Sequence, residues 1–159
     1  MQHIDSGSPL RNFKLTISYD GRQFHGWQIQ NNAMTVQETF QNALSKIIGS
    51  DFDLKGCSRT DCGVHANMYC ISLKTTHPIA DVRLKAALNR WLPLSIAVLD
   101  CEEVDIDFHA RYSCTSKEYI YKIWNTEVRN PFLDGYALHY RYKLDEQMLN
   151  KAAQANVGT

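Results

Sequence analysis

Apolar and polar residues alternate along residues 13–19, from Phe13 to Tyr19. A period of two predicts a strand with one buried face, because successive side chains of a strand point to opposite sides of the sheet. The Asp20-Gly21 pair that follows predicts a turn. The residues before Phe13 are mostly polar, and we expect residues 1–12 to form a flexible lead-in.

Two later segments show helical spacing instead. Thr35 and Glu38 fit the capping-box pattern, in which a hydroxyl and a carboxylate each bind a free N–H of the first turn. A second helix is predicted to begin near Asp81 and to end before Pro93, because proline interrupts a helix. The apolar residues expected on the buried faces are Val36, Phe40, Ala43, Leu44, Ile47 and Ile48 in the first helix, and Leu84, Leu88, Trp91 and Leu92 in the second.

Short strands are predicted at residues 52–57, 67–74 and 96–99. Together with the first strand and the two helices, they give the order strand–helix–strand–strand–helix–strand. That order is typical of a ferredoxin-like α+β sandwich, in which two helices cover one face of a sheet. We therefore predict an α+β fold class, which by itself says nothing about chemistry.

The pattern starts again after Val104, so we divide the chain into a ferredoxin-like domain at residues 13–104 and an incomplete second α/β half at residues 105–159. Residues 117–124 alternate as a strand does. The elements predicted after residue 104 are two strands and a helix, and such a small sheet would leave an edge open. This favours an incomplete second half. One face of a later strand is predicted to carry Tyr136, Leu138, Tyr140 and Tyr142, and the inward face of a final helix at residues 145–155 to carry Met148, Leu149, Ala152 and Ala155.

Composition and charge narrow the classes of protein. Hydrophobic residues make up 44% of the chain, and 17 basic residues balance 17 acidic ones, which disfavours a generally basic nucleic-acid binder. No apolar run approaches the roughly 18 residues that cross a bilayer, and the N-terminus lacks a signal-peptide core, so we expect a cytoplasmic protein without a membrane partner. The five cysteines include no C-x-x-C pair, which indicates reduced thiols rather than disulfides or a structural zinc site.

The densest polar cluster lies at residues 58–66, between two predicted strands, where a rigid scaffold commonly presents reactive groups. Arg59 next to Asp61 favours an ionised carboxylate, the state that a nucleophile or general base needs. Gly63 permits a tight turn that carries this carboxylate clear of the sheet. On residue types alone, a surface turn with a weak ion pair explains the same cluster.

Two other kinds of chemistry are open for this cluster. The first is a zinc site, because the cluster and a later histidine supply ligand types that zinc accepts, although the spacing of these residues matches no closed tetrahedral set. A hydrolase pair of Ser58 or Cys62 with His65 lacks the strand–nucleophile–helix elbow that such pairs use. The candidate zinc ligands are Asp61, Cys62, His65 and His109.

Aromatic residues supply further candidates. Tyr119 has the ordinary interpretation of a strand aromatic that packs on the sheet. The ordinary interpretation of Trp27, which precedes Gln28, is a loop anchor buried against the core. Residues 108–112 combine aromatic side chains with a cation, which suits stacking on bases and pairing with phosphate. The alternative interpretation is an ordinary connection between strands. Those five residues are Phe108, His109, Ala110, Arg111 and Tyr112.

Taken together, these motifs resemble the tRNA pseudouridine synthases of the TruA type from residue 13 to the end of the chain. The most specific segment is Arg-Thr-Asp-Cys-Gly-Val-His-Ala at residues 59–66. The other matching segments are Tyr19-Asp20-Gly21, Gly26-Trp27-Gln28, Val36-Gln37-Glu38, Leu88-Asn89 with Leu92-Pro93, Phe108-His109-Ala110-Arg111 and Lys117-Glu118-Tyr119-Ile120-Tyr121.

The resemblance implies that uridine is isomerised to pseudouridine in the anticodon stem-loop, at the family's tRNA positions 38, 39 and 40. It assigns the nucleophile to Asp61, without deciding whether the uracil ring or the sugar is attacked, and it requires no cofactor and no metal. The target base is flipped into the pocket. Tyr119 stacks on the uracil and takes the C5 proton, while Arg59 pairs with Asp61 and fills the vacated space.

The resemblance also implies the partners. Residues 108–112 would hold the RNA backbone, and Trp27 and Gln28 would lie in a loop near the tRNA. Family members act as homodimers and continue for roughly one more half-domain, which carries a basic residue facing the aspartate. Ser58 stands where the family usually has glycine, so a small shift of Arg59 is expected. The alternative is an inactive RNA-binding fragment of such an enzyme.

Overall fold

A computed structural model describes residues 7–158, which fall into two compact units, one that ends at Ser116 and one that begins at Lys117. This boundary lies later than the one predicted after residue 104. The first unit contains β1 (Arg11–Tyr19), α1 (Val36–Ile48), β2 (Phe52–Gly56), β3 (Ala66–Thr75), α2 (Asp81–Trp91) and β4 (Ile96–Val104), with a 3-10 turn at Gly21–Gln23. The second contains β5 (Ile123–Trp124), β6 (Leu138–His139) and α3 (Glu146–Gln154), with a 3-10 turn at Pro131–Leu133.

The first unit is a mixed α/β structure on a four-stranded antiparallel sheet, in the order β2-β3-β1-β4. The predicted element order is therefore confirmed. Leu15 of β1 lies opposite Ile71 of β3 and opposite Cys101 of β4, and all three are buried. Alternate residues of β1, from Phe13 to Tyr19, belong to the same core as the apolar faces of the helices.

Helix α1 forms where the sequence predicts it. The Thr35 hydroxyl accepts a hydrogen bond from the Glu38 N–H at 3.3 Å, which satisfies one free donor of the first turn. Among the described residues the reciprocal bond from Glu38 to the Thr35 N–H is not formed. Five of the six predicted residues are buried, and Ile47 is partly buried against the core.

Helix α2 buries Leu84, Leu88 and Leu92 as predicted, but not Trp91. The Trp91 side chain is 52% exposed, and the Lys46 ammonium of α1 lies 4.9 Å from its ring centroid. Trp91 is the last residue of α2, and its ring packs against a cation rather than in the core.

The predicted lead-in is ordered at its end. Strand β1 begins at Arg11, and Asn12 is buried with its amide donating to the carbonyl oxygens of Asp105 and Phe108 at 2.9 and 2.8 Å. The prediction of flexibility for residues 11 and 12 is therefore wrong, because a buried amide needs these partners. Residues 1–6 lie outside the described part of the chain.

The second unit departs most from the sequence prediction. Only Ile123 and Trp124 of the predicted strand at residues 117–124 are in a strand, paired in parallel with Leu138 and His139. No described residue after Lys117 is buried, and the predicted inward face of α3 is exposed, including Met148 and Leu149. Without neighbouring strands and a covering layer, alternating side chains cannot be held in a sheet.

Within residues 7–158, no helix has the length and apolarity that a membrane crossing requires.

Candidate active site

The acidic loop, residues 57–65, connects β2 to β3 at the end of the sheet where β1 leads into the 3-10 turn. Arg59 and Asp61 are exposed in this loop, while Thr60 between them is half-buried. The loop has no regular secondary structure, so its conformation depends on contacts with its neighbours.

A buried phenol holds the start of the acidic loop. The Tyr69 hydroxyl of β3 donates to the Ser58 carbonyl oxygen and accepts from the Ser58 N–H at 3.4 Å. Burial raises the pKa of Tyr69, so the hydroxyl keeps its proton. The Trp27 ring lies 4.4 Å from the Tyr69 ring, and a side chain at Gly56 would overlap both.

Ser58 fits this position without backbone strain. No non-glycine residue in the described part of the chain has a positive φ, so Ser58 adopts a conformation open to any residue. The glycine usual at this position is therefore not required here, and the two bonds to Tyr69 fix the backbone directly before Arg59.

The middle of the acidic loop is held through Thr60. Its hydroxyl lies 2.9 Å from the Tyr19 hydroxyl, and its carbonyl oxygen accepts from the Trp27 N–H at 3.2 Å. Gly26, with φ 80°, lies so close that an added Cβ would overlap the Thr60 carbonyl oxygen. Glycine is needed here for both the backbone conformation and the close approach.

The end of the acidic loop turns back through Gly63, whose φ is 78°. The Gly63 N–H donates to the Phe24 carbonyl oxygen at 3.1 Å, and the Val64 N–H donates to that of Asp61 at 3.2 Å. Together these two bonds return the chain towards the strand after it has presented the carboxylate.

His65 completes the attachment. Its Nδ1 accepts from the Gly21 N–H at 3.1 Å and lies 3.2 Å from a carboxylate oxygen of Asp20. Arg22 binds both oxygens of the same carboxylate at 2.6–3.0 Å. The loop is thus attached to residues 20–27 at its middle and at its end.

The predicted ion pair between Arg59 and Asp61 is not formed, since no ion pair within 4.0 Å joins them in the described part of the chain. Both side chains are exposed, while the backbone between them is held by other segments. In water, two exposed charges gain too little from contact to fix long side chains against each other. Without the ion pair, the Arg59 guanidinium and the Asp61 carboxylate are both accessible from solvent.

The structure gives the zinc alternative no matching geometry. Among residues 7–158, no group of three or more His, Cys, Asp or Glu side chains could hold a metal ion. For the hydrolase pair, the structure shows the Nδ1 atom of His65 bound to the Gly21 N–H and close to Asp20.

The RNA-binding candidates at residues 108–112 follow β4 and belong to the first unit. The Ala110 N–H donates to the buried Ser72 hydroxyl at 3.2 Å, which ties the segment to β3. Arg111 and Tyr112 are exposed, and the Tyr112 ring lies 4.4 Å from that of His109. The segment therefore offers a cation and an aromatic pair on a fixed backbone.

The remaining candidates are placed differently. The Trp27 side chain is 4% exposed, which agrees with a loop anchor buried against the core. Gln28 beside it is exposed. Tyr119 is 86% exposed and belongs to the second unit, in the segment before β5.

The sequence reasoning missed the residues that hold the acidic loop, above all Tyr19, Thr60 and Tyr69. A signal was available, because alternation along the strands turns Tyr19 and Tyr69 inward. A buried phenol needs a hydrogen-bond partner, and the polar loop nearby supplies one.

The fold and the site define a mixed α/β domain whose antiparallel sheet presents an exposed carboxylate on a fixed loop. Residues 15–113 match the family model described as tRNA pseudouridine synthase. The chain belongs to this family, and the resemblance stated from its motifs is confirmed.

Two curated relatives illustrate the match. The tRNA pseudouridine synthase A 2 of Bacillus cereus is 41% identical over 151 residues, and the tRNA pseudouridine synthase A of Acetivibrio thermocellus is 43% identical over 150 residues. Each match covers 94% of this chain and 62% of the relative. The chain thus spans less than two thirds of the length of these relatives.

Proposed function

We propose that this chain carries the nucleophile of a tRNA pseudouridine synthase, an isomerase that converts uridine to pseudouridine in the anticodon stem-loop. The observation that carries the proposal is the exposed Asp61 carboxylate on a loop held at its start, middle and end. The match to the tRNA pseudouridine synthase family over residues 15–113 supplies the reaction class.

The chemistry fits a carboxylate as the nucleophile. Isomerisation breaks the C–N bond between uracil and ribose, rotates the base and joins its C5 to the same sugar carbon. The C5 proton leaves and a ring nitrogen takes up a proton, so product and substrate have the same atoms and oxidation state. A side-chain nucleophile can hold the detached fragment during this exchange.

The proposed reaction requires the target base to leave its stack, and the exposed residues Arg59 and Tyr119 are assigned roles in that step. A base inside a stem or loop must be extruded before a protein group can reach its ring or sugar. Arg59, exposed beside Asp61, is proposed to fill the space that the base vacates. Tyr119 is proposed to stack on the uracil and to accept the C5 proton, and the exposed Tyr119 ring supports a stacking role.

RNA binding is proposed for residues 108–112 together with Gln28. Arg111 and Tyr112 offer a cation for phosphate and a ring for a base. Zero net charge means that this chain presents no general excess of positive charge, so binding would depend on such local groups.

Three finer assignments belong to the same proposal. The strand order β2-β3-β1-β4 with two connecting helices supports a ferredoxin-like domain, and residues 117–159 would begin a second half. A homodimer across which tRNA lies is proposed from the family resemblance. A cytoplasmic location is proposed because tRNA is the substrate.

One observation favours the second candidate function, an RNA-binding segment that is inactive by itself. No residue of the second unit is buried among those that the structure describes, so residues 117–158 build no core of their own. If Tyr119 needs a packed neighbour to reach the base, the isolated chain would bind tRNA without converting it.

The test measures tritium release from tRNA labelled at the uridine C5, using two proteins. One is the 159-residue chain, and the other is a chimera in which the part of the Acetivibrio relative beyond the match follows it. We expect Asp61→Asn to lower turnover by at least about a thousandfold and to leave tRNA binding nearly unchanged, because the amide keeps the shape and loses the nucleophile. Asp53→Asn, at an exposed carboxylate of β2, is the matched control.

Turnover in the Asp61→Asn chimera equal to that of the unaltered chimera would contradict the role of Asp61. An active chimera beside an inactive 159-residue chain would assign the second candidate function to the isolated chain.

A further inference from the structure

Thr60 occupies a distinct position in the acidic loop, because it is half-buried between the exposed Arg59 and Asp61. Its side chain is directed to Tyr19, with the two hydroxyl oxygens 2.9 Å apart. Neighbouring side chains of a non-helical segment point in different directions, so an inward Thr60 leaves both of its neighbours on the solvent side.

Tyr19 is itself fixed by the sheet. It is the last residue of β1 and lies in register with Ala66 of β3 on one side and Ile96 of β4 on the other. Its ring is buried and packs against the Tyr69 ring at 5.7 Å, in an edge-to-face arrangement. The Tyr19 hydroxyl is therefore a rigid point at the end of the central strand.

Burial also keeps that hydroxyl protonated. It raises the pKa of Tyr19 from 10.0 to about 12, so the phenol remains a hydrogen-bond donor throughout the neutral range. The Thr60 carbonyl oxygen accepts from the Trp27 N–H, so both the side chain and the backbone of Thr60 are hydrogen-bonded. Within the described part of the chain, neither Tyr19 nor Trp27 binds Arg59 or Asp61 directly.

We infer that Tyr19 and Thr60 are positioning residues, whose hydroxyl pair sets the direction in which Arg59 and Asp61 are presented to the substrate. The inference rests on the proposed function, in which Asp61 is the nucleophile. A nucleophile displaced by a fraction of an ångström from its target loses rate steeply, so a rigid anchor one residue away acts on turnover rather than on tRNA binding.

The test removes one hydroxyl at a time without changing shape, in Tyr19→Phe, Thr60→Val and the double variant. Thr60→Ser, which keeps the hydroxyl, is the conservative variant expected to retain function. Thr75→Val is the matched control, because Thr75 is a buried β3 threonine at the other end of the strand. Its hydroxyl donates to the Asp51 carbonyl oxygen at 3.2 Å and accepts from the His77 N–H at 3.1 Å.

Turnover is measured on the chimera. We expect Tyr19→Phe and Thr60→Val each to lower kcat by about tenfold to a hundredfold, with KM for tRNA within about twofold. The double variant should be no slower than the slower single variant, because both changes remove one interaction. Thr60→Ser and Thr75→Val should stay near the unaltered kcat.

A second readout needs no activity. In the 159-residue chain, amide hydrogen exchange at Gly63 and Val64 should become about five- to tenfold faster in Tyr19→Phe and Thr60→Val, the ratio expected for one lost hydrogen bond. Thr75→Val should leave exchange at both amides unchanged, since its hydrogen bonds lie outside the acidic loop.

The outcomes separate the two claims. If Asp61→Asn is inactive while Tyr19→Phe and Thr60→Val match Thr75→Val in kcat and exchange, the positioning role is wrong and the proposed function stands. If Asp61→Asn keeps full activity, the proposed function fails, and the catalytic part of this inference fails with it. A loss of kcat with faster exchange, absent in Thr75→Val, supports the positioning role.

Discussion

The two units of this chain differ in what their alternating residues achieve. In the first unit, β1 lies between β3 and β4, and its apolar side chains are buried against both helices. In the second, β5 and β6 have two residues each, and no described residue is buried. Sequence alternation therefore indicates which face of a segment would be covered, and not whether the covering layer is present.

The same difference divides the candidate site. Asp61 lies on a loop attached to a buried sheet, whereas Tyr119 lies in an exposed segment of the second unit. Among the described residues, the loop is held by Tyr19, Tyr69 and His65, all of the first unit. The proposed nucleophile thus lies on a backbone with several fixed points, whereas Tyr119 lies in a segment with no buried residue.

The largest expected effect contrasts one apolar side chain from each unit. Phe40 of α1 is 0% exposed, and Phe40→Ala should lower the free energy of unfolding by about 3–5 kcal/mol. Leu149 of α3 is 48% exposed, and Leu149→Ala should change it by less than about 0.5 kcal/mol. Urea denaturation followed by circular dichroism measures both. A similar loss of unfolding free energy in the two variants would contradict the statement that Leu149 lies outside any core.

A smaller effect is expected within the first unit, at two glycines with nearly equal φ, Gly26 at 80° and Gly49 at 79°. Alanine at either position is strained by the positive φ, at a cost of about 1–3 kcal/mol. At Gly26 the new Cβ would also overlap the Thr60 carbonyl oxygen, whereas at Gly49 it meets no atom within 4 Å.

Gly26→Ala should therefore exceed Gly49→Ala by about 1–3 kcal/mol, which is the usual cost of overpacking. The same denaturation measurement compares them. Equal losses would show that the acidic loop moves away without resistance, against the firm attachment described for the first unit.

The smallest expected effect is on stability at alkaline pH. Burial raises the pKa of Tyr19 to about 12 and that of Tyr69 further, so the folded chain keeps protons that the unfolded chain releases above pH 10. Stability is then fully present below pH 10 and falls as the pH rises towards 12. Tyr19→Phe should make this fall shallower, as followed by urea midpoints across that range. An unchanged slope in Tyr19→Phe would remove Tyr19 from the effect.

Much of the first unit could be predicted from the sequence, because local patterns and tertiary structure agree there. Thr35 caps α1 as predicted, and the helix ends at Ile48, with Gly49 as its C-cap. Helical spacing predicts a buried Trp91, but spacing gives only a direction around the helix, and the last residue of α2 is exposed instead. The strand at residues 117–124 failed for a related reason, since pairing depends on partners distant in sequence.

The candidate site divides in the same way. The motif locates Asp61 in the chain, and the resemblance supplies its proposed role. Alternation along the strands turns Tyr19 and Tyr69 inward, but which atoms of the loop they bind is settled only in the folded sheet, since Tyr19 lies 41 residues before Thr60. The resemblance places Trp27 in a loop near the tRNA, while its packing against Tyr69 is a contact that no local pattern reveals.

The central place of β1 has a consequence for synthesis on the ribosome. The strand is made first, yet Arg11 pairs with Thr75, and Asn12 on its other edge pairs with Val104. The edge of β1 that pairs with β3 therefore stays unpaired until residue 75 has left the exit tunnel, and the other edge until residue 104 has. An unpaired apolar strand is prone to aggregation, so slowing elongation before residue 104 would lengthen the period of exposure.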